Sequence, residues 1–501
     1  MHEENGLTAE QRKRDAADKL ARQDAPAVLK VLEPVCVVRL TNAQMDRLSE
    51  LFETIPLVLR QKSAPHCMQS LELAYETGDP AAFQRWYAAL TALRAHQKEG
   101  SPQYFRLEQM MGCAGMLRIG TDNAQLMMAL AILYNDAPGP EPVWKMSATN
   151  RRPSVLRGTF DLSQWGRNDK AVRSILRPML GAVLAHGGDG VAEAAAAELL
   201  YQKNDLNGAA RCLPAATTAK EPEIRFAGLA TLARLCRFEP SARDPKVVLE
   251  KIGEMLKQEA AEWLAENYQA LLVQFDVTAG RLEKVRDWVE EHAGDGFESC
   301  CPRNRFLLMV RVQALIALGR DREAAMLSEQ ILLSLRQRFT PLDQIECLVD
   351  GAIAWERTGS HEQAMQSLTD ALNLAQPYGY VRVFADKGRA ALDLLAAYGR
   401  EKPLTPELAH FIRTLSEAAK NFTILCPAMY APACAAHAIN LTATEVQLLH
   451  LLGDGKSNRQ IGTELSISVS TVKFHMHNLF EKLDVTSRVE ALSAAKQQGV
   501  L

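Results

Sequence analysis

Between Ser457 and Asn478 the chain carries hydroxyl, amide and cationic side chains in a pattern suited to gripping a polyanion and reading base edges. Ser470, Lys473, Phe474, His477 and Glu481 recur at spacings of three and four, which places them on one face of a helix. On such a face Lys473 can donate to guanine O6 and N7 or to a phosphate, Phe474 can pack on a thymine methyl, and His477 can donate to a base edge or a phosphate. Thr471 and the amides at the start of this helix suit a phosphate, as do Ser457, Asn458 and Arg459 at the start of the preceding helix. The opposite face carries Val472, Met476, Leu479 and Leu483 at the i, i+4, i+7, i+11 spacing of a buried stripe, which would fasten the helix to a small core with Ile461 and Leu465. His475 lies on the flank of that stripe and reads as structural.

Those side chains need short helices to hold them, and the start signals are present. Thr442 with Glu445, Ser457 with Gln460 and Ser487 with Glu490 form three capping boxes, and Ser468 follows the short turn Ser466-Ile467. Four helices are predicted, near 442–452, 458–465, 469–483 and 488–498. The second and third are joined by about three residues, the helix-turn-helix arrangement that lays one helix in the DNA major groove.

This segment resembles the LuxR-type DNA-binding domain. The matching residues are Leu441-Thr442, Glu445, Gly455-Lys456-Ser457-Asn458, Ile461, Leu465-Ser466-Ile467-Ser468, Thr471-Val472-Lys473-Phe474-His475, Asn478 and Lys482-Leu483. Two positions depart from the pattern: Thr444 stands where the family usually has Arg, and Gly462 where a small Ala is usual, at a cost to that helix of up to about 1 kcal/mol. The resemblance implies a DNA-binding set of Lys473, Phe474, His477, Thr471, Ser470, Asn458, Ser457, Arg459 and Asn478. It also implies pairing of two copies on DNA through the fourth helix, which would present Val489, Leu492 and Ala495 partly to its own core and partly to a mate. From Leu441 onward six basic residues are matched by six acidic ones, so a single copy attracts DNA only weakly.

The rest of the chain reads as helix throughout. Of 501 residues, 57 are Lys or Arg and 60 are Asp or Glu, so any nucleic-acid site must be local. AELLYQKNDLNGAARCL from Ala197, VQALIALGRDREAAMLSEQIL from Val312 and DGAIAWERTGSHEQAMQSLTDAL from Asp350 align without gaps, with Asn204, Gly319 and Gly359 in one register and Ala209, Ala324 and Ala364 five residues later. Gly280 with Val285 makes a weaker copy, and the interval from Asn204 to Gly280 leaves room for one degenerate unit. The pattern predicts a helix, a tight turn at positive φ, and a second helix whose small residue packs close to the first. It resembles tetratricopeptide-like repeats over roughly 181–400. A set of unrelated helical hairpins is the alternative.

The domain organisation expected is an N-terminal helical arm over 1–134, with Gly78-Asp79-Pro80 as a turn, an irregular boundary rich in Pro, Gly and Asn over 135–180, a superhelical sensor domain over 181–420, a linker over 421–440 and the DNA-binding domain over 441–501. The fold class is therefore all-α, a tetratricopeptide-like α-solenoid followed by a four-helix helix-turn-helix domain of LuxR type.

Phe52–Phe83 and Ala314–Met326 are also similar to the sensor portion of the large ATP-dependent LuxR regulators, the MalT-like family, in which a nucleotide-binding domain precedes the helical arm and the superhelix receives an inducer. This chain is expected to lack that front, either as a short regulator or as the C-terminal part of a longer one. Its one Walker-like fragment, Gly455-Lys456-Ser457, has His450 where the first Gly is required. The resemblance implies a transcriptional regulator whose partners are double-stranded promoter DNA, a second copy on DNA, RNA polymerase, and a small-molecule effector or protein partner in the superhelix. Tyr201 and Trp355 are candidates to line such a site and are equally at home in a core. The alternative is a repeat scaffold whose helix-turn-helix serves protein interaction.

No apolar run approaches the ~18 residues needed to span a bilayer, and no secretory signal follows the N-terminus, so a cytoplasmic protein without a membrane partner is expected. The ten cysteines form no C-x-x-C and no zinc spacing, so they read as small buried residues, the adjacent Cys300 and Cys301 included. No Ser/His/Asp or Cys/His arrangement, H-E-x-x-H or dinucleotide fingerprint occurs, which predicts a non-enzyme with no cofactor.

Overall fold

The computed structural model describes residues 30, 37–117, 144, 146–167, 189–238, 244–292, 300–336, 340–430, 443–453, 455–465, 467–483, 485, 487–488 and 490–492. The chain divides into two compact units, a helical body drawn from residues up to 429 and a C-terminal unit drawn mainly from 430–501. No strand occurs among the described residues, and no helix among them is long and apolar enough to cross a membrane. The chain is all-α.

The body begins with α1 (Asn42–Thr54), α2 (Leu57–Arg60), α3 (Ala64–Thr77), α4 (Pro80–Ala95) and α5 (Pro102–Met116). The turn read at Gly78-Asp79-Pro80 is there: Gly78 ends α3 at φ +71°, the Asp79 carboxylate accepts from the Ala82 amide at 2.9 Å, and Pro80 opens α4. The repeats follow as α6 (Val191–Gln202), α7 (Leu206–Thr217), α8 (Pro222–Leu235), α9 (Pro245–Gln258), α10 (Ala265–Ala279), α11 (Leu282–Glu291), α12 (Arg305–Ala317), α13 (Asp321–Leu335), α14 (Pro341–Arg357) and α15 (His361–Ala375). Asn204, Gly280, Gly319 and Gly359 take φ of +66°, +69°, +73° and +80°, and Ala209, Val285, Ala324 and Ala364 five residues later are fully buried. The repeat therefore exists because one left-handed residue reverses the chain and one small side chain lets the second helix close on the first. α8 and α9 fill the interval that the sequence leaves for a degenerate unit.

After α15 the chain folds back. α16 (Arg382–Ala385) packs on both α14 and α6, with the Val381 amide donating to the Gln202 carbonyl at 2.7 Å and the Tyr201 hydroxyl to Asp386 at 2.7 Å, so the last repeat is tied to the first. α17 (Gly388–Glu401) and α18 (Pro406–Leu425) close the body. α18 runs past the linker boundary expected at 421 because Phe422 is buried in its apolar face. Residues 431–442 lie outside the described residues.

The segment expected to be an irregular boundary is, over 146–163, a buried strap inside the body. Its Pro, Gly and Asn content marks non-helical backbone, which is ordinarily at the surface because its amides and carbonyls would otherwise go unsatisfied. Here buried carboxylates from distant helices supply the partners. Glu223 accepts from the Ala148 amide (3.2 Å) and the hydroxyls of Ser147 and Thr149, and Glu198 accepts from the Val155 amide (2.7 Å) and the Ser154 hydroxyl. Arg151 meets Glu76 at 2.7 Å, Arg152 is bidentate on Asp343 at 2.8 and 2.9 Å, and Arg157 pairs with Glu346. Asn267 donates to the Arg151 carbonyl at 2.8 Å. Burial alone would raise the Glu346 carboxyl, but Arg157 and Lys387 hold it well below its ordinary value. The strap contacts helices on both sides of it in sequence, so it belongs to the core of the body. The eight described cysteines are free thiols, seven of them buried, with burial pushing Cys300 and Cys301 upward in pKa.

The C-terminal unit contains α19 (Ala443–Gly453), α20 (Asn458–Glu464), α21 (Val469–Leu483) and helical residues at 488 and 490–492.

Candidate nucleic-acid interface

The core beneath α21 is small. Val472, Met476 and Leu479 pack with Leu448, Leu449, Leu452, Ile461 and Ala491, and Leu465 and Leu492 lie partly buried against them. The side chains of Leu483 and Val489, and residue Ala495, lie outside the described residues. Because the inner stripe is consumed by this core, the other face of α21 turns outward. Ser470, Lys473, Phe474 and His477 are all exposed, Phe474 by 60% despite being aromatic. The rings of Phe474 and the half-buried His475 meet edge to face at 5.8 Å. Asn478 is helical, and its side chain lies outside the described residues.

The turn between α20 and α21 is closed by the Ile467 amide donating to the Gly462 carbonyl at 2.9 Å. A Cβ at 462 would stand 2.8 Å from the Ile467 carbonyl oxygen. Gly462 therefore does more than weaken α20, since it allows the tight approach that sets the angle between the two helices.

Both helix starts are capped as the sequence indicates. Ser457 and Gln460 form a reciprocal capping box, and the Ser468 hydroxyl accepts from the Thr471 amide at 3.1 Å. The hydroxyls of Thr471 and Ser470 hydrogen-bond Ser468 at 2.7 and 2.6 Å, so both belong to the cap. At the third box the Glu490 amide donates to Ser487 at 3.2 Å, while Thr442 lies outside the described residues.

Asn458 is engaged within the unit, its side-chain oxygen accepting from Arg488, whose guanidinium also reaches Met476 sulfur at 4.0 Å. This bond pins the start of the fourth helix to the start of α20. The Arg488 contact has no signature in the sequence, because a single cation thirty residues from its partner leaves no periodic signal. Arg459 is exposed, and Lys456 pairs with Glu464 at 2.8 Å across partly exposed positions, where such a pair is worth little. The outward group is thus Lys473, Phe474, His477 and Arg459, with Ser457, Ser470, Thr471 and Asn458 shaping the frame that presents them. In the body, Tyr201 is buried beside a cavity, whereas Trp355 is half-buried and does not line it.

Residues 181–401 match the family described as the MalT-like TPR region, and residues 439–495 match the bacterial regulatory proteins of the luxR family. The chain is similar to the HTH-type transcriptional regulator MalT of Vibrio parahaemolyticus serotype O3:K6, 27% identical over 320 residues that make up 60% of this chain and 35% of the relative. The protein of the same description from Vibrio cholerae serotype O1 is 26% identical over 263 residues, 50% of this chain and 29% of that one. The Yersinia pestis counterpart is 23% identical over 298 residues, covering 55% and 32%. The chain spans about a third of the length of these curated relatives. It carries a MalT-like helical-repeat region and a C-terminal helix-turn-helix domain of the luxR family.

Proposed function

We propose that this protein is a transcriptional regulator that binds promoter DNA with α21 in the major groove, and that its helical-repeat body receives the effector or partner that controls it. The observation that carries the reading is the division of α21 into a buried stripe and an outward face of Ser470, Lys473, Phe474 and His477 on a capped helix-turn-helix frame. The relatives described as transcriptional regulators support it. Lys473 supplies the base-edge or phosphate contact, Phe474 an apolar contact for a thymine methyl, and His477 a further donor. The balanced charge from Leu441 onward leaves one copy with weak general attraction, so specific binding uses two copies on paired half-sites. Such a regulator works where the chromosome is, in the cytoplasm.

The test is selection of genomic DNA fragments by the full chain and by a Lys473→Glu variant at two salt concentrations, read by sequencing. Paired half-sites enriched by the wild type and lost in the variant are the expected result. Equal enrichment by both proteins, or no enrichment above a salt-sensitive background, overturns the reading in favour of a protein-interaction module.

A further inference from the structure

In the helical body a cavity of about 100 Å³ lies between the strap at 152–157, helices α6, α8, α10, α12 and α14, and the returning segment 382–387. At roughly 10–15 Å³ per water, it holds several waters or one small polar group. Six cations line it, Arg152, Arg157, Arg234, Arg237, Arg382 and Lys387, against three carboxylates, Glu198, Glu346 and Asp386.

Most of these charges are already spent. Arg152 is committed to Asp343, Arg157 to Glu346, Lys387 to Asp350 at 2.7 Å, and Arg382 to Asp386. Glu198 accepts from Ser154 and Val155. Arg237 and Arg234 remain. The Arg237 guanidinium lies 4.0 Å from the centroid of the Phe275 ring and donates once, to the Thr278 hydroxyl at 3.1 Å. Arg234 makes no hydrogen bond or ion pair with any described residue. Burial pushes its pKa below the ordinary value, with Tyr201 and Glu198 opposing the shift and the charges of Arg157 and Arg237 adding to it. Two further donors at the wall, the Nε atoms of the buried Arg152 and Arg382, have no partner. A guanidinium offers five donors and no acceptor, so an oxyanion among these groups would accept from several of them at once and offset their surplus charge.

We propose that this cavity is a binding site for the phosphate or carboxylate group of a small anionic ligand, gripped by the guanidinium groups of Arg234 and Arg237. The proposal rests on the reading of the helical body as the receiving part and names the chemical class of what it receives. Planar guanidinium forks match both oxyanions in geometry, and the tests below separate the two.

The experiment is isothermal titration calorimetry on the full chain with inorganic phosphate and, separately, with malonate, at constant ionic strength set by chloride. Wild type is compared with Arg234→Gln and with Arg389→Gln, a change at an exposed arginine paired with Asp393 outside the cavity. At least one oxyanion is expected to bind wild type and Arg389→Gln alike and to bind Arg234→Gln about 10- to 100-fold more weakly, the loss of one or two charge-assisted hydrogen bonds. Should Arg234→Gln fail to fold, Arg237→Lys, which keeps the charge and loses the fork, is expected to weaken binding. The proposal is overturned if neither anion gives heat beyond chloride, or if a folded Arg234→Gln binds as wild type does. Anion binding is read without DNA, so its failure leaves the transcriptional reading standing, and failure of DNA selection leaves the anion site standing.

Discussion

Replacing Asp343 by Asn tests whether charge holds the buried strap in place. Asp343 is 0% exposed and accepts from both terminal nitrogens of Arg152 at 2.8 and 2.9 Å, with Arg157 and Arg305 nitrogens at 3.5 Å. Burial alone would raise its carboxyl, yet these three guanidinium groups hold it below its ordinary value. Asn keeps the shape but turns an amide NH2 toward a cation and leaves the buried Arg152 and Arg305 and the half-buried Arg157 facing no charge at that point. Breaking a buried pair from one side costs about 3–5 kcal/mol. At about 1.4 kcal/mol per factor of ten, the strap opens roughly two to nearly four orders of magnitude more often. Hydrogen–deuterium exchange on the full chain, followed in peptides covering 146–163, reads that opening directly, with Asp393→Asn at the exposed Arg389 pair as a control expected to change exchange by less than about tenfold. Exchange of the strap within threefold of wild type in Asp343→Asn would refute the argument, because the segment would then be held by packing alone.

Lys473→Ala is expected to flatten the dependence of log affinity on log salt by about 0.9 per copy if the ammonium meets a phosphate, or to cost about 1–3 kcal/mol and relax selection at one base position if it meets a base. Titrations at several salt concentrations decide, and an unchanged slope with unchanged selection sinks the contact. Gly462→Ala gains about 1 kcal/mol of helix propensity, but its Cβ would lie 2.8 Å from the Ile467 carbonyl oxygen. The turn must shift, so weaker DNA binding without a rise in melting temperature is expected, and a more stable protein with unaltered binding contradicts the account. Burial, and next the neighbouring Asp343 charge, raise the Asp161 carboxyl to about 7, and its Oδ2 has no hydrogen-bond partner. A native pKa above the unfolded value of about 3.9 means that the contribution is complete below that pH and is lost as pH rises through the native value. Asp161→Asn should therefore become more stable relative to wild type as pH is raised from 5 to 8 in chemical unfolding, and a difference constant over that range counts against a protonated Asp161.

The features legible in the sequence are those decided within a few residues. Capping residues at 457, 468 and 487 act on amides three positions away, and the left-handed turns at Asn204, Gly280, Gly319 and Gly359 act on the helix they end. The α21 stripe is set by helical geometry alone, so the inner and outer faces follow once the period is read. That is why the helix-turn-helix frame and the outward positions of Lys473, Phe474 and His477 follow from a linear reading.

Tertiary structure decided the remainder, because the partners involved are far apart in the chain. The irregular segment over 146–161 reads as surface until Glu198 and Glu223 arrive to accept from its amides and Asp343, 191 residues away, accepts from its Arg152 side chain. Asn458 looks like a phosphate ligand until Arg488 claims it, and Tyr201 is ambiguous between core and cavity until Asp386 folds back against it. The surplus of cations around Arg234 exists only when strap, repeats and returning segment are assembled. Composition and periodicity report which groups are charged, but buried charge takes its meaning from the groups brought within a few ångströms, and that is fixed only by the folded chain.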